Sequence, residues 1–298
     1  MNNSQASFFL QLGILTKRLL LRLARRPLAE LPNIFISAFF LLVYDGALGG
    51  VFGGNAAGTP FDFANGNFLN FILPVSIVSA AVSGGASGIY LVEDSEAGVF
   101  KRYQGMPISK WAIILAPIAV GAIRVLLQAT LIMTLGNFIG ADPATGLAGY
   151  FAVLGMAFFW GMGFAGYSVA AGVRSGSSQG AQAATFLFFP ALFLAPTFTP
   201  RYALKGWLES AAAYNPTTYV LEGMRAIMIE GWVSDLILKG FLVAGGFALG
   251  VLAVLGARIG KFSSSGEPRN IGPRNPWLVC VGLFCIYTGF WGFYAACN

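Results

Sequence analysis

Two charged residues stand deep inside apolar runs, where an ionised side chain is hardest to keep. Asp45 lies 12 residues into the run that starts at Asn33, and Arg124 lies 13 residues into the run that starts at Trp111. At 1.5 Å of rise per residue, each is about 18–20 Å along its helix. A charge at the centre of a bilayer costs roughly 2.5–3.5 kcal/mol on insertion scales, so residues of this kind are candidates for a transport path. If both helices start from the same face, the two lie at similar depth and pairing would offset part of the cost. The structural alternatives are an ion pair that only holds helices together, and an Asp45 that reaches the outer headgroups.

Little other chemistry is available. The chain has no histidine, which removes imidazole general base catalysis, His metal ligation and the common pH switch. Its three cysteines, Cys280, Cys285 and Cys297, fall in the last apolar run without metal or disulfide spacing and read as packing residues. No metal site is expected. Gly256 to Phe262, GARIGKF, is a near miss to a phosphate-binding loop: it is one spacer short and has Phe where Ser or Thr should reach Mg²⁺. An intramembrane enzyme would need paired acids or a nucleophile with its base, and neither is present convincingly.

Glu93 to Lys110, EDSEAGVFKRYQGMPISK, is the densest polar stretch in a chain that is only 10% charged. Six charges in one island cannot sit in hydrocarbon, so the island faces water and is suited to docking. Composition supplies the frame: 56% hydrophobic residues, 27 Phe and a mean hydropathy of +0.71, against about 45–50% apolar and about 25% charged in soluble domains. This predicts an all-α polytopic membrane protein with no sizeable soluble domain. The net charge of +6 is spread over loops beside apolar runs, which argues against a nucleic-acid surface.

The elements that must position these residues follow from periodicity. Over 8–26, Phe8, Leu12, Leu15, Leu19 and Leu23 fall on one helical face and Arg18, Arg22 and Arg25 on another, the pattern of an amphipathic interfacial helix. Arg26-Pro27 should end it. Seven apolar runs follow near 33–53, 68–92, 111–136, 147–172, 180–199, 234–257 and 277–296, each near the roughly 20 residues that a spanning helix needs. Lys and Arg cluster before the first run and in alternate loops, from Arg18 and Arg102 to Arg174 and Arg274, so the N-terminus is expected in the cytoplasm and, with seven spans, the C-terminus outside.

The expected domains are a cytoplasmic N-terminal segment 1–32, a core 33–260, a flexible Ser/Gly/Pro-rich linker 261–276 and a last span 277–298. Residues 200–233 mix aromatics with balanced charges and read as interfacial. Val220, Met224 and Ile227 share one helical face there, and Glu222 and Arg225 are expected to form an i,i+3 pair on another. Pro190, Pro196 and Pro200 interrupt the fifth run, so a bent or re-entrant region is expected over about 190–231. Glycine pairs such as Gly49/Gly53, Gly172/Gly176 and Gly246/Gly250 have the spacing that lets helices approach closely.

Taken in order, Arg25-Arg26-Pro27, then NFLNFILP, then Glu96, Gly98, Arg102 and Pro107 as E-x-G-x3-R-x3-P, then Pro190, Trp207-Leu208 and NPTTYVLEGMRAIMIEG from Asn215, resemble the membrane subunit of type-2 ABC exporters of the daunorubicin-resistance permease kind. The resemblance covers roughly residues 15 to 260. It implies an interfacial helix and a six-span permease core, paired with a second copy, most simply as a homodimer, around a translocation path. It also implies that separate ABC ATPase subunits carry ATP and Mg, with no cofactor and no catalysis in this chain. By position, Glu96, Gly98, Arg102 and Pro107 would form the ATPase-coupling helix beside Arg18, Arg22 and Arg25, and Pro190, Pro196, Asn215 and Pro216 the outer gate. The chain departs from the family at Pro74-Val75, where Pro-Gly is usual, at Ala195-Pro196-Thr197, and in its seventh span.

The implied function is export across the cell (inner or plasma) membrane as a multi-pass protein among membrane lipids. The cargo is expected to be a hydrophobic or amphipathic small molecule, drug or lipid, in keeping with the Phe-rich spans. The competing reading from the residues alone is an ion-coupled secondary transporter or channel using Asp45 and Arg124, which the absence of internal repeats disfavours.

Overall fold

The computed structural model describes residues 7–52, 67–104, 106, 108–186 and 188–259, and these are helical with short connections. The expected linker 261–276, the expected last span 277–296 and Pro107 lie outside the described residues. In chain order the helices are α1 (Phe8–Ala24), α2 (Leu31–Phe52), α3 (Phe68–Gly84), α4 (Gly88–Glu96), α5 (Val99–Gln104), α6 (Lys110–Ile139), α7 (Gly146–Ser175), α8 (Ser178–Phe186), α9 (Phe189–Phe193), α10 (Trp207–Tyr214), α11 (Pro216–Arg225) and α12 (Ser234–Ile259). Among the described residues, five stretches, Leu31–Gly50, Phe68–Glu96, Lys110–Ile139, Gly146–Ser175 and Ser234–Ala253, are long and apolar enough to cross a membrane.

The core forms around α3. Its sequence, FLNFILPVSIVSAAVSG, is apolar or small on every side, and a helix without a polar face is buried on all of them. It packs against α2, α6, α7 and α11. α6 and α7 form a hairpin, α12 covers α7 and α11, and α1 lies on the first turns of α6. Trp160 of α7 is wholly buried with Phe164, which stands 5.2 Å away edge-on, and with Phe247 of α12 at 5.1 Å; such offset ring pairs add to the area they bury.

α3 and α4 are separated by the turn at Gly85 to Ser87 and run on as one long segment. Gly88 opens α4 where it crosses α7: its N–H donates to Ser168 Oγ at 3.1 Å, and a Cβ there would overlap the Ser168 backbone. Among the expected close-packing glycines, Gly172 does face α4, but Gly246 and Gly250 meet nothing within 4 Å.

The expected fifth span, 180–199, is not one helix. α8 and the five-residue α9 are followed by bends through Thr197, with Pro190 in the first turn of α9 and Pro196 and Pro200 beyond it. The prolines remove backbone donors a continuous helix would need. The Thr197 hydroxyl takes up one released carbonyl, donating to Leu192 O at 2.5 Å.

Candidate functional site

At one end of the bundle α1 lies beside the α4–α5 hairpin. Leu15 and Leu19 are buried against Ala112, Ala116 and Val120 of α6, while Phe9, Leu10, Ile14 and Leu21 remain exposed. Ser7 caps the helix N-terminus at Leu10 N, and the chain leaves helical geometry at Arg26, before Pro27. From the polar side of α1, Arg18 donates Nη1 and Nη2 to the two carboxylate oxygens of Asp94 at 2.8 and 3.0 Å, a bidentate pair. Arg22 donates to Asp94 Oδ1 at 2.5 Å and stands 3.6 Å from Glu93.

Arg18 also donates to the Tyr103 hydroxyl of α5. The bond to Asp94 raises the Arg18 pKa above its usual value despite partial burial, and burial raises that of Tyr103 against the opposing Arg18 charge. Gln11 Oε1 accepts from Ser109 N, which ties α1 to the start of α6. Asp94 is buried, at 6% exposure. The hairpin is thus clamped from beneath.

Its outward side carries Glu96 and Arg102, both exposed and neither in an ion pair among the described residues. Gly98 turns the chain between α4 and α5 with φ +69°, a left-handed conformation that glycine adopts without cost. Arg25, at the C-cap of α1, is exposed.

At the other end, residues 189–231 fold as a cap organised by Arg225. This side chain is buried, at 6% exposure. It donates to Phe71 O at 3.1 Å, Thr197 O at 2.8 Å and Pro196 O, and its guanidinium lies 3.5 Å from the centroid of the Phe71 ring. The expected Glu222–Arg225 pair is not formed: Glu222 faces Arg201 at 3.8 Å instead. Helical spacing puts the two on neighbouring positions, but Arg225 turns inward to carbonyls of α3 and of the proline-rich bend. Val220, Met224 and Ile227 are fully buried on the shared face.

Asn215 caps α11 by accepting from Thr217 N and donates its amide to Ala191 O, with Pro216 at the first helical position. Pro190, Pro196, Asn215 and Pro216 are therefore brought into one unit. The π-turn at Ala226–Glu230 closes it, and Thr145 Oγ1 donates to Ile227 O at 2.9 Å.

Between the two ends, Arg124 and Asp45 are not partners. Arg124 donates Nε at 3.0 Å and Nη2 at 2.5 Å to Glu30 Oε2, and Tyr90 offers its ring 5.8 Å from the guanidinium carbon. Asp45 is half-buried on α2 and makes no ion pair among the described residues. The turn that follows Pro27 carries Glu30 across to α6, nearer to Arg124 than the 15-residue-distant Asp45 can come. A cavity of about 250 Å³ adjoins the Glu30–Arg124 pair.

The basic face of α1 and the 93–110 island are legible in the sequence, but nothing there distinguishes Asp94, their joint, from Glu93 and Glu96 beside it. Glu30 carried a weak signal as the one charge between Pro27 and Pro32 at the mouth of an apolar run. The inward role of Arg225 carried none, because its acceptors are backbone carbonyls.

The ABC-2 type transporter family model matches residues 10–229, which takes in both ends and the cavity. Among relatives, a protein of Cyanophora paradoxa named a transport permease is 27% identical over 75% of this chain and 77% of its own length. A doxorubicin resistance ABC transporter permease, so named, of Mycobacterium tuberculosis is 21% identical over 77% of this chain and 80% of its own. The daunorubicin resistance ABC transporter permease of Streptomyces coeruleorubidus is 21% identical over 68% and 69%.

Proposed function

Because this chain belongs to the ABC-2 type transporter family and is a membrane permease subunit of an ABC exporter, we propose that two copies form the translocation path and that separate ATPase subunits drive it through the α4–α5 hairpin. The observation that carries this reading is the hairpin itself: Glu96 and Arg102 are exposed on its outer side while Asp94 is clamped to Arg18 and Arg22 on its inner side. A lever of this kind needs a free face for the partner and an attachment to the rest of the chain.

In this reading α1 lies in the cytoplasmic interface with Arg18, Arg22 and Arg25 toward the headgroups and the hairpin. Glu96, Gly98, Arg102 and Pro107 contact the ATPase, and the chain itself holds no nucleotide; ATP and Mg belong to the partner. The broken α8–α9 segment takes the place of a fifth span in a six-span core, with 277–296 as an added seventh. The cap containing Pro190, Pro196, Asn215 and Pro216 is the outer gate, and Asp45 and Arg124 border the path. The protein works as a homodimer in the cell membrane, with its N-terminus in the cytoplasm. The names of the two drug-resistance relatives support a hydrophobic or amphipathic cargo.

ATP binding moves the hairpin only if the two states of the complex differ in free energy when nucleotide is present. The test is purification of the tagged chain in mild detergent, identification of its partners and an ATPase assay. A co-purifying nucleotide-binding subunit, with cargo-stimulated ATPase lost in Arg102→Glu and membrane insertion intact, is the expected result. A chain that recovers no such subunit and carries ion-driven flux alone would overturn the proposal.

A further inference from the structure

We infer that the cavity beside Glu30 and Arg124 binds a zwitterionic headgroup, an anionic and an ammonium centre carried by one amphipathic molecule. The argument starts from how the ion pair is made. Both of the Arg124 bonds converge on Glu30 Oε2, so Arg124 Nη1 and Glu30 Oε1 have no partner among the described residues, and neither is sealed from accessible space. Both residues line the cavity. One wall therefore presents a free charged donor and a free charged acceptor side by side, with no net charge.

Electrostatics then selects the ligand. A simple anion entering the cavity is attracted by Arg124 and repelled by Glu30, and a simple cation meets the reverse. A molecule carrying both signs gives each free atom a partner without leaving a buried charge unmatched, which is the costly outcome in a low-dielectric site. Tyr90 and Phe189 also line the cavity, and aromatic faces suit an ammonium centre. At about 250 Å³ the space is smaller than the roughly 300–1,000 Å³ that encloses a drug-sized ligand, so it takes a headgroup while the tail lies elsewhere. The same chemistry comes from a resident bilayer lipid or from exported cargo. The proposal rests on the permease reading only for that source.

The test uses the full chain in uncharged maltoside detergent, without nucleotide, and three amphiphiles of equal chain length: a phosphatidylcholine, a phosphatidylglycerol and an alkyltrimethylammonium. Native mass spectrometry or competition binding is expected to show the zwitterion bound at least about tenfold more tightly than either singly charged probe, a difference of about 1.4 kcal/mol. Ala86→Phe, which fills the cavity and leaves the ion pair, should erase the preference; Gln182→Phe narrows the same space from α8 and serves if the first variant does not fold. Glu30→Gln should shift the preference toward the anionic probe, and Arg124→Gln toward the cationic one.

Equal binding of the three probes by the wild type, or an unchanged preference in both cavity-filling variants, overturns the site. A labelled phosphatidylcholine in vesicles containing the ATPase-bound complex separates the two sources: ATP-dependent movement across the bilayer marks cargo, and binding without movement marks a resident lipid. Both keep the site. Because the preference is read without nucleotide, a chain that shows it but recovers no ATPase would sink only the transport reading.

Discussion

The two ends of this permease are held together by arginines used in opposite ways. At the hairpin end, Arg18 and Arg22 share one carboxylate, Asp94, and both arginines remain partly open to solvent. At the cap end, Arg225 is buried and spends its donors on three backbone carbonyls from α3 and the Pro196–Thr197 bend. Side-chain ion pairs near water are weak and are screened by salt, so the first joint can be re-formed in more than one geometry. Carbonyls belong to the backbone and cannot turn away independently, so the second joint holds a shape. The comparison assigns adaptability to one end of the molecule and rigidity to the other.

The sharpest way to break that contrast is at Arg225. Arg225→Met should lower stability by at least about 3 kcal/mol, since hydrogen bonds to a charged group contribute about 1.5–3 kcal/mol each and the abandoned carbonyls stay buried. Thermal unfolding in detergent would read this. Equal stability of Arg225→Met and wild type would mean that the cap does not depend on this residue.

Asp94→Asn comes next, with an expected loss of about 1–2 kcal/mol because the acceptor is buried while its partners are half-open. The loss should shrink as salt rises from about 0.05 to about 0.5 M. The Arg225→Met defect should not, and a common salt dependence of the two would erase the distinction drawn here.

Gly98→Ala should cost about 1 kcal/mol for placing a Cβ in the left-handed region, felt locally as faster proteolysis at the α4–α5 turn. Smallest in stability, Arg102→Glu should stay within about 0.5 kcal/mol of wild type, as expected for an exposed side chain, while reducing cargo-stimulated ATPase activity. A large stability loss in Arg102→Glu would show that the hairpin's outer side is part of its packing.

How far the sequence could be read depended on whether the signal was periodic. α1, α2, α6, α7 and α12 follow from continuous apolar or amphipathic runs, and the end of α1 from Arg26-Pro27. The interruption of 180–199 followed in kind from Pro190, Pro196 and Pro200, yet its division into α8 and α9 depends on which carbonyls find new donors. Pairing was the least legible feature. Asp45 and Arg124 matched in depth along their helices, but depth says nothing of azimuth or of which turn intervenes, and Glu30 reached Arg124 first. Glu222 and Arg225 matched in spacing, and the open carbonyls of the bend outcompeted the carboxylate.

The burial of α3 has a consequence for how the membrane itself can influence the protein. Within its apolar window 94% of the residues are buried inside the chain, against 17% for α2 and 22% for α12. A helix that bears its own flank to the acyl chains responds to bilayer thickness by tilting or shifting, at fractions of a kcal/mol per Å of mismatch. Wherever the flanks of α2 and α12 meet acyl chains those helices take up that strain, whereas α3 is insulated from it by its neighbours. Thinning or thickening the bilayer should therefore tilt the outer helices about a nearly stationary axis, so that the lipid composition of the host membrane tunes the periphery and leaves the spine in register.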